Sequence, residues 1–418
     1  MNTDPRIPYT DASASTVTDT PPRKASPKPS VSESMKSWVM SPLAFQLDKK
    51  GSLLALTALL LAIIILTSVV LGGLLTTPTV WTPVTWDFSL ELPFDWPWDK
   101  PQENDDPPAS AVTGPFADGA QGNVLLALPD AANNNIKESN LNSDYAVLAD
   151  LSTGEVIASR NPDVEMYPAS LTKVMTLIVA VENLKNENSL QEPITVSEEV
   201  YNRMKSEGAS GVGMLPGEIY TVESMLYSLM LWSDGIAACE LAIHVAGSEA
   251  SFIELMNQKA ESMGLTHTHF ENPTGLHHPS HKSTAREMAT IMAYAMNMSV
   301  CRRIMLQKTT PITYTKVNGA EGSFNLNHRF LVKNFDEYKK KAEQGVESYN
   351  VQLQPTRLTV KAAKTGWTGN ESGKCLVTYA EDQSGKGYVC VTAKASDGSE
   401  YVPCIVDYVY IYDEFVSP

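Results

Sequence analysis

The distribution of apolar and polar positions divides the chain into parts that need different surroundings. Ser52–Leu75 runs for 24 residues without a charged side chain, enough at helical rise to cross a hydrocarbon layer of about 30 Å. A transmembrane helix is therefore predicted over 52–75. Residues 1–48 are rich in Ser, Thr, Pro and Lys with no apolar period, the pattern of a disordered tail. Residues 76–141 read as a Pro-, Asp- and Trp-rich linker, with Trp81 and Trp86 suited to the membrane interface and a stiff, acidic, extended stretch after them.

From residue 142 the pattern is that of one folded domain, 142–418. Asp144–Asp150 and Glu155–Ser159 are short β-prone runs joined by Ser152-Thr-Gly154, a hairpin signature. Pro168–Glu182 reads as a buried, largely apolar helix, and further helical stretches fall at 221–232, 236–246, 249–263 and 284–297. The pattern returns to β-prone runs over 358–365, 373–380 and 387–394, and Val402–Phe415 reads as a closing helix. Strands at both ends with helices between them predict an α/β (α+β) fold: one antiparallel sheet assembled from both ends of the chain, flanked by helices, with a helical subdomain inserted.

Composition narrows the partners. The 418 residues are 43% hydrophobic and carry a net charge of -16, which excludes disorder over the whole length and argues against nucleic acid, whose phosphates need clustered Lys and Arg. Five scattered cysteines supply neither a disulfide framework nor a CxxC zinc site. Charge also orients the span. The first fifty residues hold seven Lys or Arg against five acids, whereas residues 76–120 hold eight acids and only Lys100 as a base. Positive charge resists translocation, so the tail is expected in the cytoplasm and the folded domain outside. A cleaved signal peptide would place its apolar stretch within about the first 30 residues, so a retained single-pass anchor is expected.

Three short segments carry candidate chemistry. Ser170 and Lys173 stand three apart at the start of a helix, so the amine can reach the hydroxyl. A serine hydroxyl needs a base to become a nucleophile, and a lysine serves only if its pKa is lowered. Lys364-Thr-Gly366 ends a β-prone run and is followed by Trp367, which suits a peptide lying alongside and ending in a carboxylate. Leu231-Trp-Ser233-Asp-Gly235 precedes an apolar helix. Each segment alone reads equally well as a helix cap or a strand end.

Together they resemble the serine D-Ala-D-Ala carboxypeptidases, low-molecular-mass penicillin-binding proteins that carry Ser-x-x-Lys, Ser-x-Asn and Lys-Thr-Gly in this order. The resemblance covers roughly residues 142–415. It includes Pro168–Thr176, Phe270-Glu-Asn-Pro-Thr-Gly-Leu276 with His281 and Ser283-Thr-Ala285, and Ala363–Thr368 with Ser372–Val377. It implies a β-lactamase/transpeptidase-like fold and an enzyme that removes the terminal D-Ala from peptidoglycan stem peptides outside a bacterial cell, with β-lactams as inhibitors and no cofactor. It also implies roles. Ser170 would be the acylated nucleophile and Lys173 its base. Ser233 would relay protons to the leaving group. Lys364 and Thr365 would hold the terminal carboxylate, with Lys364 also keeping Lys173 from full protonation. Gly366 would let the substrate approach, and the N–H groups of Ser170 and Trp367 would form the oxyanion hole.

Two positions depart from the family pattern. Gly235 stands where the middle motif has Asn, and Glu287 where Asp is more usual. Ser233-Asp234, similar to a Ser-Asp-Asn motif, keeps a β-lactamase-like hydrolase open, and Gly235 keeps open a non-catalytic sensor of wall peptide or penicillin. His267, His269, His277, His278 and His281 lack the HExxH spacing of a metal peptidase, so no metal is expected. Cys375 and Cys390 fall on adjacent predicted strands but are not opposed, and are expected to be buried small hydrophobes.

Overall fold

The computed structural model describes residues 125–395 and 401–416. The predicted tail, the span at 52–75 and the linker up to 124 lie outside the described residues. Among the described residues, no single helix is long and apolar enough to cross a membrane.

In chain order the main elements are β1 (Ser143–Asp150), β2 (Glu155–Arg160), α1 (Lys173–Glu182), β3 (Pro193–Thr195), α2 (Glu198–Ser206), β4 (Ile219–Thr221), α3 (Val222–Leu231), α4 (Gly235–Ala246), α5 (Glu249–Ser262), α6 (Ala285–Asn297) and α7 (Ser299–Met305). They are followed by β5 (Thr309–Thr315), β6 (Glu321–Asn327), α8 (Phe335–Glu343), β7 (Thr359–Gly366), β8 (Lys374–Glu381), β9 (Gly387–Ala395) and α9 (Val402–Phe415). The principal sheet has the order β2-β1-β9-β8-β7 and all its pairings are antiparallel. Strands from the two ends of the folded domain therefore meet at the β1–β9 pair.

Both faces of this sheet are covered, which explains why its strands read as nearly continuous apolar runs. Val147, Ala149, Val389 and Val391 point into the core beneath the helices. Their neighbours Ala146, Leu148, Tyr388 and Cys390 point into a second core closed by Ile405, Tyr408 and Ile411 of α9. A carboxylate ties that helix down: Asp407 accepts from the backbone N–H groups of Asn142 and Ser143 at 2.8 Å. Cys375 and Cys390 belong to opposite cores, and both are buried thiols.

Several helices begin where a hydroxyl or carboxylate satisfies a first-turn N–H. Ser197 caps α2, Thr221 α3, Asp234 α4, Ser248 α5 and Thr284 α6. Gly247 ends α4 in the left-handed region, a conformation that costs a residue without Cβ nothing.

Two features differ from the sequence reading. A second antiparallel sheet, β3-β4-β5-β6, was not foreseen, because two of its strands have only three residues and β6 is polar on its exposed positions. Residues 125–141, read as linker, are packed on the domain. Leu126 and Ile136 are buried, and Ala127 bridges to Glu155 of β2. Their Asn-rich composition resembles a spacer, but Asn134 and Asn135 bond to Ser159 of β2 and anchor the segment.

Candidate active site

The nucleophile segment is a tight turn held by two glycines. Ala169–Thr172 forms one turn of 3-10 helix that runs into α1, and Ala169 has φ +48. Gly275 lies directly on this turn, where an added Cβ would stand 1.9 Å from the Ala169 carbonyl oxygen. Gly366, at the end of β7, approaches from the sheet. A Cβ there would be 2.9 Å from the Pro168 oxygen and 3.1 Å from the Ser170 nitrogen. No side chain fits at either place, so three separate parts of the chain converge on Ser170.

Lys173 is buried at 3% exposure. Its Nζ donates to the Thr274 carbonyl at 2.6 Å and lies 3.1 Å from Ser170 Oγ. The Thr274 carbonyl is aimed by Asn272, whose Oδ1 accepts from the backbone N–H groups of Thr274, Gly275 and Leu276. Burial lowers the Lys173 pKa to about 8, against the opposing charges of Cys239 and Asp234. An uncharged amine beside a serine hydroxyl is the arrangement a base requires.

Ser233 and Lys364 form the opposite wall. Ser233 is buried, with φ +62, and accepts from Lys364 Nζ at 2.9 Å; the same ammonium donates to the Thr365 carbonyl at 2.7 Å. Lys364 is 1% exposed. Burial drives its pKa well down, and the charges of Lys173 and Arg329 lower it further. The resemblance assigned Lys364 the task of suppressing the charge on Lys173. Burial is the first cause of the lowered Lys173 pKa, and the charges of the two lysines oppose one another. Thr365 is half-buried, and Trp367 is half-buried beneath Lys374, whose Nζ lies 4.3 Å from its ring.

The Gly235 departure has a packing cause. Gly235 is the first residue of α4, and a Cβ there would meet Ala209 Cβ at 2.8 Å and Met204 Sδ at 3.1 Å. The turn 204–210 occupies the space that an asparagine side chain would enter. Asp234 does not take over the amide's place beside Lys173: its two oxygens accept from Ala237 N and Val212 N, capping α4 and pinning the turn. Glu287 accepts from His267 N and Thr268 Oγ1, so the longer carboxylate still holds the turn before the Asn272 loop.

The histidines serve structure. His281 is buried and its pKa is lowered to about 3 by burial first. Its Nδ1 accepts from Glu271 N, which leaves Nε2 to donate to Thr172 Oγ1 at 2.8 Å. His269 and His278 face Glu271, and His277 pairs with Glu371. Among the described residues, no three His, Cys, Asp or Glu side chains converge as a metal-holding group.

A serine next to a buried amine, opposed by a second serine–lysine pair at the edge of a sheet, can pass a proton from hydroxyl to amine and form an acyl-enzyme. The sequence profile of the D-alanyl-D-alanine carboxypeptidases, the peptidase S11 family, matches residues 132–396, and the chain belongs to that family. Among curated relatives, D-alanyl-D-alanine carboxypeptidase DacF of Bacillus subtilis is 38% identical over 149 residues, 35% of this chain and 37% of that protein. DacC of Escherichia coli is 33% identical over 190 residues, 45% of this chain and 47% of that protein. The matches thus span less than half the length of those two relatives. The Streptomyces K15 DD-transpeptidase superposes with a TM-score of 0.54 at 22% identity, covering 66% of this chain and 99% of that one. A D-alanyl-D-alanine carboxypeptidase from Mycobacterium tuberculosis gives 0.51 at 24%, covering 66% and 92%. These two likenesses establish the mixed fold of antiparallel sheets and helices.

Two outcomes follow from this geometry. Gly235→Asn will destabilise the domain by about 1–3 kcal/mol through overpacking against the 204–210 turn, read as a lower Tm, with no gain in acylation; an unchanged or higher Tm contradicts the packing account. Acylation needs Lys173 uncharged, so its second-order rate will rise with pH and level off above a midpoint near 8. A flat profile between roughly pH 6 and 9 contradicts that assignment.

Proposed function

We propose that the chain is a serine D-alanyl-D-alanine carboxypeptidase acting on peptidoglycan stem peptides. The observation that carries this reading is the 3.1 Å approach of the buried Lys173 amine to Ser170 Oγ, on a turn clamped by the strand that bears Lys364. A peptide ending in D-Ala-D-Ala would lie along the open edge of β7, since β7 is the outer strand of its sheet. Gly366 leaves room for it, and Thr365 and Lys364 face its terminal carboxylate.

Ser170 Oγ attacks the carbonyl carbon of the penultimate residue while its proton passes to Lys173 Nζ. The N–H groups of Ser170 and Trp367 stabilise the developing oxyanion. The C–N bond then breaks, and the departing nitrogen takes a proton delivered through Ser233, whose hydroxyl is bonded to Lys364. D-Alanine leaves, water attacks the ester, and the shortened peptide is freed with Ser170 restored. A β-lactam would acylate the same oxygen and persist.

Some relatives are D-alanyl-D-alanine endopeptidases, such as that of Escherichia coli, 29% identical over 266 residues. The same acyl-enzyme serves both reactions, and the leaving amine distinguishes them. The alternation of charge around 52–75 supports a single-pass anchor in a bacterial membrane, with the N-terminus cytoplasmic and the domain outside. Deleting 52–75 will move the protein from the membrane to the soluble fraction, and retention in the membrane would contradict that placement.

The full chain incubated with a peptide ending in D-Ala-D-Ala will release D-alanine and form a covalent penicillin adduct, and Ser170→Ala will abolish both. Lys173→Arg will also abolish acylation, because guanidinium keeps its proton at neutral pH. Release that survives Ser170→Ala removes the mechanism; acylation that survives Lys173→Arg removes the assigned base.

A further inference from the structure

The turn that fills the place of the motif amide at Gly235 also builds a cavity. Arg203, Met204 and Glu207, at the end of α2, line one side of a space of about 470 Å³. Cys239 of α4 and Glu249 of α5 line another, and the loop from Glu271 to His278 closes it. Thr274 belongs to both places, because it lines the cavity and its carbonyl accepts from Lys173 Nζ at 2.6 Å. The cavity therefore begins one hydrogen bond from the buried amine.

Its place along a bound peptide follows from the direction of β7. The terminal carboxylate faces Lys364 and Thr365, and the reacting carbonyl faces the Trp367 N–H. The residue before the penultimate one then lies past Trp367, beside the loop that joins β7 to β8. That loop meets the cavity: His277 Nε2 lies 2.9 Å from Glu371 Oε2, and His277 is a lining residue.

The lining has two characters. Met204 and Cys239 are buried and Leu276 is half-buried, which gives an apolar floor. The rim is acidic. Glu249 bonds the Arg203 guanidinium through both its oxygens, and Glu271 faces His269 and His278. Glu207 is exposed and adds a charge that Arg203 feels. Three carboxylates against one guanidinium leave an excess of negative charge above apolar atoms. An aliphatic stem ending in an ammonium suits both, since its methylenes cover the floor while its charge reaches the rim.

We propose that this cavity receives the side chain of the third residue from the carboxyl end of the substrate, and that it favours a side chain ending in a free amine. This rests on the carboxypeptidase reading above and gives it a substrate preference. The preference belongs to the 204–207 wall, the same turn whose Met204 Sδ would stand 3.1 Å from a Cβ at Gly235. Loss of the motif amide and gain of the cavity wall are thus one structural change.

The test uses the full chain and three peptides ending in D-Ala-D-Ala, each blocked at its N-terminus. The residue before that pair is lysine, Nε-acetyllysine or alanine, and D-alanine release is followed. The wild-type chain will act on the lysine peptide with a kcat/KM about tenfold above that for acetyllysine, the effect of one interaction with a charged group. Glu207→Gln will cut this preference to about threefold or less and leave the acetyllysine and alanine peptides unchanged. Glu207→Lys will make acetyllysine the better substrate. Equal kcat/KM for lysine and acetyllysine on the wild-type chain overturns the proposal, and so does a preference that survives both variants. Equal losses on all three peptides mark Glu207 as structural and overturn it as well. In each of those cases D-alanine is still released by the wild-type chain and the carboxypeptidase reading stands. A wild-type chain that releases none from any peptide overturns that reading and this proposal with it.

Discussion

The site depends on burying two lysines on opposite sides of it, Lys173 beside Ser170 and Lys364 beside Ser233. Each ammonium loses hydration there, and at close range each disfavours charge on the other. The structure tolerates this because the polar atoms are satisfied: Lys173 bonds the Thr274 carbonyl and lies 3.1 Å from Ser170 Oγ, while Lys364 bonds Ser233 and the Thr365 carbonyl. An unpaired buried ammonium would otherwise be among the costliest groups in the molecule. The same burial that costs stability lowers the Lys173 pKa to about 8, bringing an ordinary side chain within reach of base chemistry.

Holding that arrangement requires segments far apart in the chain to touch without intervening side chains. Gly275 and Gly366 do this on either side of the Ser170 turn, each placed where a Cβ would collide with backbone. Asn272 shapes the first of these loops, and the β7–β8 pairing positions the second. The helices below the sheet then fix α1, and with it Lys173, through a continuous apolar core. Fold and chemistry are joined at backbone contacts.

Much of this was legible in the sequence. The three terminal strands and α9 show as β-prone and apolar runs, and the starts of most helices coincide with Ser, Thr or Asp capping residues. Ser170, Lys173, Ser233 and Lys364 stood out only together, because their three segments occur in the order of the family's motifs while each alone reads as a helix cap or a strand end. The Thr274 carbonyl did not, since a backbone acceptor leaves no trace in residue type; the only hint was Asn-Pro-Thr-Gly, a turn whose glycine has φ +79. Gly235 looked like a missing amide, and its cause, the turn 204–210 packed against it, depends on contacts some 25–31 residues back. The small second sheet and the packed segment 125–141 were hidden for a related reason: their strands are too short, or their composition too polar, for local periodicity to register.

The most direct test of the central claim is a site-resolved titration of the Lys173 amine, followed by NMR of the carbon bonded to Nζ in protein carrying labelled lysine, with Lys173→Arg used to assign the signal. A midpoint near pH 8, more than two units below an ordinary lysine, is the result this account predicts. A Lys173 that stays protonated beyond about pH 10, as an exposed lysine would, contradicts it.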